Sequence, residues 1–228
     1  MQFIKDIFHL FYPEVCLSCK EVLLQHEKLV CIACRHDFPE TDFLNQSNNQ
    51  LEKQFYGRVT IEEGTALFHY SKKGKVQHLI HLLKYKGQED LGLFFGEWLG
   101  ESLKNGERFK SIDCIVPVPI HAKKQKQRGY NQLTKFGRTA GQIVGIPFVE
   151  GNLIRVINTV AQTYKGRVDR FLGKRNHFEI VNKALFEGKH VLLIDDVVTT
   201  GATIEVCAKA LLKCKNVTVS IAVVAYTS

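Results

Sequence analysis

The chain has 228 residues, 45% of them apolar and 24% charged, and a formal net charge of +8. That length accommodates one full α/β domain and a smaller attachment, and no segment approaches the length of a membrane span, which excludes an inserted protein. The basic balance favours polyanionic partners, whether nucleotides, pyrophosphate or nucleic acid, and specifies none of them.

The amino-terminal stretch MQFIKDIFHLFYPEVC is apolar and carries Lys5, as a signal peptide would. Asp6 and His9 interrupt it and no small-residue cleavage site follows, so an amphipathic helix from about Phe3 to Tyr12 and a cytoplasmic protein are expected. Cys16, Cys19, Cys31 and Cys34 come next, two C-x2-C pairs with eleven residues between them. Each pair can aim two thiolates at one ion, and together they complete a closed tetrahedral shell, the pattern of a structural zinc ribbon. A redox dithiol needs only one pair, and two disulfides are disfavoured in a reducing compartment. Cys114, Cys207 and Cys214 lie in apolar strand and helix patterns and are expected in the core.

Residues 1–40 are therefore assigned to the helix and ribbon, 41–57 to a linker and 58–228 to the main domain. After the ribbon comes PETDFLNQSNNQLEKQ, whose Asn and Gln content suggests a surface connection. TALFHY is strand-like, and GKVQHLIHLLKYKG places Val76, Leu79, Ile80, Leu82 and Leu83 largely on one helical face. His78 and His81 stand at i and i+3 there; without acidic or cysteine partners nearby they read as solvated or core-edge residues rather than metal ligands. A second helix is expected over Leu91 to Leu103.

Ile112 to Val116 forms the next buried strand, and Pro117 and Pro119 end it. The following loop carries Lys123, Lys124, Lys126 and Arg128 without an acid, then Gly129, and a helix runs from Asn131 toward Val144. Farther on, Arg155, Lys165, Arg167, Arg170, Lys174 and Arg175 face the single acid Asp169. Runs of cations are usually solvated faces. A strand parallel to Val191–Ile194, however, would deliver the first basic loop to the sheet edge where ligands bind.

HVLLIDDVVTTGAT supplies the most specific pattern. Val191 to Ile194 is an apolar run suited to a strand buried on both faces, ending at Asp195, and Ile204 to Leu212 has helical spacing. Between them, Thr199, Thr200, Gly201, Ala202 and Thr203 are small, hydroxyl-rich and include one residue free to take positive φ. Their backbone N–H groups can converge on a phosphate at the helix start. Asp195 and Asp196 would repel that phosphate if aimed at it, but suit a vicinal diol or a Mg2+ held through water. A phosphorylated ribose satisfies both halves.

VLLIDDVVTTGAT resembles the signature for 5-phosphoribosyl-1-pyrophosphate (PRPP) in type I phosphoribosyltransferases, and VPVPIHAKKQKQRGYNQ resembles the second signature of the ComF family. With the four cysteines, LLKYKG and RVINTVAQT in the same order, the resemblance covers nearly the whole chain. It implies a parallel sheet flanked by helices behind a small zinc ribbon, in a cytoplasmic protein that binds PRPP with Mg2+ and serves DNA uptake beside other uptake proteins. Asp195 and Asp196 would hold the ribose and Thr199 to Thr203 the 5-phosphate. His121, Lys123, Lys124 and Arg128 would meet pyrophosphate, and Arg167 and Arg170 would lie on a loop closing over PRPP. This loop departs from the family at Gly173, where many relatives have Asn, and at Asp169, where they have Glu.

Two functions fit. As an enzyme, the chain would let a nucleophile displace pyrophosphate from C1 of PRPP, with Lys124 and Arg128 taking up the developing charge and Asp196 a candidate base. No segment reads as a purine or pyrimidine hood, so the acceptor is unidentified. As a binding module, it would sense PRPP and hold single-stranded DNA on its basic surface, with Tyr130, Tyr164 and Phe171 available for stacking.

Overall fold

Four parallel strands form the centre of the molecule: β1 (Gly64–His69), β2 (Cys114–Pro117), β5 (His190–Val198) and β6 (Thr218–Tyr226), in the order β1-β6-β5-β2. The computed structural model describes residues 13–121, 125, 128–156 and 177–227. The expected helix at Phe3 to Tyr12, Lys123, Lys124 and Lys126, and the cations and aromatics between 157 and 176, Arg167 and Arg170 included, lie outside them.

β5 and β6 are the inner strands, and Val191, Leu192, Leu193 and Ile194 are fully buried, as a strand covered on both faces requires. β2 pairs in parallel with β5, Cys114 opposite Val191 and Pro117 opposite Ile194, so the chain leaving both strands emerges at one edge. β5 does not stop at Asp195. Pairing with β6 continues through Asp195, Val197 and Val198 opposite Val223, Ala225 and Tyr226, which keeps the backbone extended past the apolar run. Antiparallel β3 (Leu153–Val156) and β4 (His177–Ile180) form a separate pair.

Helix α3 (Lys75–Tyr85) buries Val76, Leu79, Ile80 and Leu83. Helices α4 (Leu91–Asn105) and α5 (Gln132–Val144) pack closely because α4 presents Gly92, Gly96 and Gly100 to its neighbour. A Cβ on Gly96 would meet Phe136 O at 2.6 Å, and one on Gly100 would meet Ile143 Cβ at 2.8 Å. Asn131 caps α5 by accepting from Leu133 N. Helix α6 (Ala202–Leu211) follows β5 directly. Cys114, Cys207 and Cys214 are buried as expected.

Short helices α1 (Ile32–His36) and α2 (Gln50–Lys53) precede the sheet. The stretch expected as a surface connection buries Phe43, Leu51 and Phe55, apolar residues spaced among its Asn and Gln. It is stitched to β1 through Thr41 N to Leu67 O at 3.0 Å and His69 N to Pro39 O at 2.7 Å. Phe38 joins ribbon to domain by packing on Phe68, Phe94 and Trp98, with ring centroids 5.2, 6.3 and 6.0 Å away. Among the described residues no helix is long and apolar enough to cross a membrane.

Candidate PRPP-type site and cysteine cluster

The loop between β5 and α6 turns on Gly201, at φ +70. A Cβ there would also lie 2.9 Å from the Phe55 ring, so both backbone conformation and space demand glycine. Two side chains from upstream hold the loop carbonyls. Gln54 Nε2 donates to Thr199 O at 2.5 Å, and Arg58 Nη1 donates to Thr200 O at 2.9 Å. Arg58 is itself fixed by Glu205, with Nε and Nη2 at 3.0 and 2.6 Å from Oε2. In a planar trans peptide the N–H points opposite the preceding carbonyl, so the N–H groups of Thr200 and Gly201 point away from these anchors. They border a small dent of about 50 Å³ lined by Asp195, Val197 and residues 198–204, at the positive end of α6.

Because successive strand residues alternate, Asp195 and Asp196 are sent to opposite faces of β5. Asp195 lines the dent, and burial first, then the adjacent Asp196 carboxylate, push its carboxyl up to about 8. Asp196 is buried on the other face. Its Oδ1 pairs with Lys84 Nζ at 2.7 Å and its Oδ2 accepts from Gln132 Nε2 at 2.8 Å. Gln132 Oε1 accepts in turn from Arg128 Nη1 at 2.5 Å, and the Arg128 guanidinium lies 5.0 Å from the centre of the Tyr85 ring.

Of the residues expected at the site, the structure thus gathers Asp195 and residues 199–203 around the dent and links Arg128 to Asp196. His121 is half-buried in the loop after β2, where its carbonyl accepts from Gln125 N at 3.0 Å. Lys84, Gln132, Gln54 and Arg58 were not anticipated. Lys84 sits in LLKYKG, but nothing local in that helix pattern marks its partner.

Cys16, Cys19, Cys31 and Cys34 place their sulfurs within 4.8 Å of one another, and none is in a disulfide. Zinc–sulfur bonds of about 2.3 Å set tetrahedral sulfurs about 3.8 Å apart. Cys19 Sγ and Cys31 Sγ are 3.7 Å apart, so the cluster fits a metal such as zinc. Backbone N–H groups of Ser18 and Cys31 point at Cys16 Sγ, and that of Cys34 at Cys31 Sγ, each at 3.4 Å, as thiolates require. Glu27 braces the second knuckle by accepting from Leu24 N at 2.8 Å and Ile32 N at 2.7 Å; these bonds hold its carboxyl below the usual range.

Residues 154–228 match the family model described as phosphoribosyl transferase domain. The chain is 25% identical over 214 residues to Competence protein F of Haemophilus influenzae, covering 89% of this chain and 93% of that protein. It is 31% identical over 99 residues to Competence protein ComFC of Bacillus subtilis, covering 43% of this chain and 38% of that one. A purine phosphoribosyltransferase from Pyrococcus horikoshii aligns at 25% identity and a TM-score of 0.38, over 61% of this chain and 73% of its own. Along most of its length the chain is thus similar to a competence protein, and its residues 154–228, across β3 to β6, match a phosphoribosyl transferase domain.

Proposed function

We propose that the chain binds PRPP with Mg2+ at the β5–α6 loop, transfers its phosphoribosyl group, and serves DNA uptake in the cytoplasm. The observation that carries the reading is the pair of loop carbonyls held by Gln54 and Arg58, which frees the opposed N–H groups for a 5-phosphate beside the Asp195 and Asp196 carboxyl groups. The competence relatives support the role in uptake.

Asp195 and Asp196 straddle the strand on which the ribose would rest. The oxygens of Asp196 engaged by Lys84 and Gln132 each keep a second lone pair for a ribose hydroxyl. These hard oxygen donors also suit Mg2+ held through water. When bound, Mg2+ supplies charge neutralisation to the pyrophosphate leaving group. Arg128, joined to Asp196 through Gln132, would meet that group, a role shared in this reading by Lys123 and Lys124. Arg167 and Arg170 would belong to the closing segment. Zinc would stabilise the four-cysteine ribbon without taking part in the chemistry.

Calorimetry with PRPP and Mg2+ tests the assignment. Replacing Asp195 and Asp196 together by Asn should lower affinity at least about tenfold, which corresponds to about 1.4 kcal/mol. Unchanged affinity would reject this site. A role as a single-stranded DNA-binding module is the second reading, supported by the basic chain; filter binding of a labelled oligonucleotide should then weaken steeply with salt, and no binding at low salt would reject it.

A further inference from the structure

The face of β5 that carries Asp196 opens into a cavity of about 900 Å³, within the usual range for small-molecule sites and far larger than the phosphate dent on the Asp195 face. One wall is the first cysteine knuckle, with Ser18 and Lys20; another is α3, with His78, His81 and Lys84; Asp196, Val197 and Thr199 of the β5 end complete the lining. The ribbon and α3 together thus form the cover that no single stretch of sequence revealed.

The lining is strongly cationic. Lys20, Lys73, Lys75 and Lys84 all border the cavity, against Asp196 as the lining carboxylate. Lys84 is committed to Asp196 and Lys75 to Asp37 at 2.8 Å, whereas among the described residues Lys20 Nζ reaches the carbonyl of Leu17, at 3.5 Å. Tyr70, Tyr85 and Ile80 supply apolar surface beside these charges. Such a lining fits a flat ring that carries negative charge, because aromatic faces take the ring and the ammonium groups take the anion.

We propose that this cavity is the acceptor site and that the acceptor is an aromatic nitrogen nucleophile bearing a carboxylate or phosphate; the assignment rests on the PRPP reading above. With the 5-phosphate in the dent on one face of β5 and the ribose across the strand, C1 is presented to the cavity on the other face. A nitrogen lone pair of the acceptor forms the bond to C1. The bond from C1 to the pyrophosphate oxygen breaks and its electron pair leaves on pyrophosphate. Where the attacking nitrogen carries a proton, that proton passes to an imidazole of α3, His78 or His81, both at the cavity wall; a pyridine-type nitrogen has none to lose and leaves a pyridinium product.

The test uses two matched probe pairs on the full chain: pyridine-3-carboxylate against pyridine-3-carboxamide, and pyridoxine 5′-phosphate against pyridoxine. Saturation-transfer NMR titrations should give the anionic member of at least one pair about tenfold tighter binding, and which pair responds distinguishes carboxylate from phosphate recognition. K20E/K73E should erase that preference, and K20Q/K73Q should reduce it if the first variant folds poorly. K104E/K213E, the same change of charge at exposed positions outside the cavity, should leave it intact. Equal binding within both pairs, or an equal loss in K104E/K213E, overturns the proposal. PRPP calorimetry on the unaltered chain separates the two readings. PRPP binding without anion preference overturns only the acceptor assignment, whereas anion preference without PRPP binding overturns the PRPP site and with it the transfer role.

Discussion

Lys84 Nζ stands 2.7 Å from Asp196 Oδ1, with the two side chains 21% and 8% exposed. A carboxylate this buried needs its partner, since removing one member of a buried pair leaves an uncompensated charge. K84M should therefore lower unfolding free energy by about 1–3 kcal/mol in denaturant titrations, discounted for the partial exposure of the lysine. K84R should retain most of the stability. An unchanged midpoint in K84M would show that Gln132 alone suffices for Asp196.

The anchoring of Thr200 by Arg58 makes a different claim, about binding. R58A frees the Thr200 carbonyl to turn, and PRPP affinity should drop by about tenfold, or about 1.4 kcal/mol. E205Q removes charge from the Arg58 clamp while keeping an acceptor for the guanidinium, and should lose much less. Equal losses in the two variants would assign the effect to α6 rather than to the loop carbonyl.

Asp195 predicts a pH dependence of stability. Its folded carboxyl is raised to about 8, mainly by burial, above the unfolded value of about 3.9. The folded state then holds a proton that the unfolded state releases, so this contribution is present below about pH 4 and is lost as pH rises toward 8. D195N, uncharged throughout, should be more stable than the parent at pH 8 by about 1.4 kcal/mol or more, one pKa unit's worth. The gain should vanish near pH 4. Thermal melts of both proteins across that window decide it, and a D195N protein less stable than its parent at pH 8 would refute it.

For the cysteine cluster, elemental analysis should find close to one zinc per chain, and a serine at any of the four positions should reduce it. The sequence has a single Trp, and Trp98 packs against Phe38, just beyond α1 of the ribbon. Strong chelation should therefore shift Trp98 fluorescence to longer wavelength while far-ultraviolet circular dichroism changes little. Protein purified without metal would end the claim.

The reach of sequence reading here follows chain separation. Val191 to Ile194, Gly201 and the cysteine spacing declare themselves because their patterns are local: an apolar run, a turn residue, paired thiols. Lys84 and Gln132 do not, since a lysine on an amphipathic helix looks solvated and a glutamine at a helix start looks like a surface residue. Their shared partner, Asp196, lies 64 positions from Gln132. Gln54, in a stretch whose Asn and Gln suggested a linker, and Arg58, just beyond it, reach 145 and 142 positions to the loop carbonyls. β5 likewise outlasts its apolar run because the partner strand β6 supplies the hydrogen bonds.

The placing of β6 between β1 and β5 also bears on how the chain is made. β1 ends at His69 and its neighbour begins only at Thr218, so residues 70–217 must be synthesised between the two halves of one ladder. At about 5–20 residues per second, that leaves β1 without its partner for about 7–30 seconds on the ribosome. The four cysteines precede β1 and can gather an ion during this interval, whereas the sheet, and with it the seating of Asp195 and Asp196, must wait for Thr218–Tyr226 to emerge. A ribosome stalled before Thr218 would thus display a metal-binding knob ahead of an apolar strand whose β6 edge is still open, a target for chaperones and for aggregation alike.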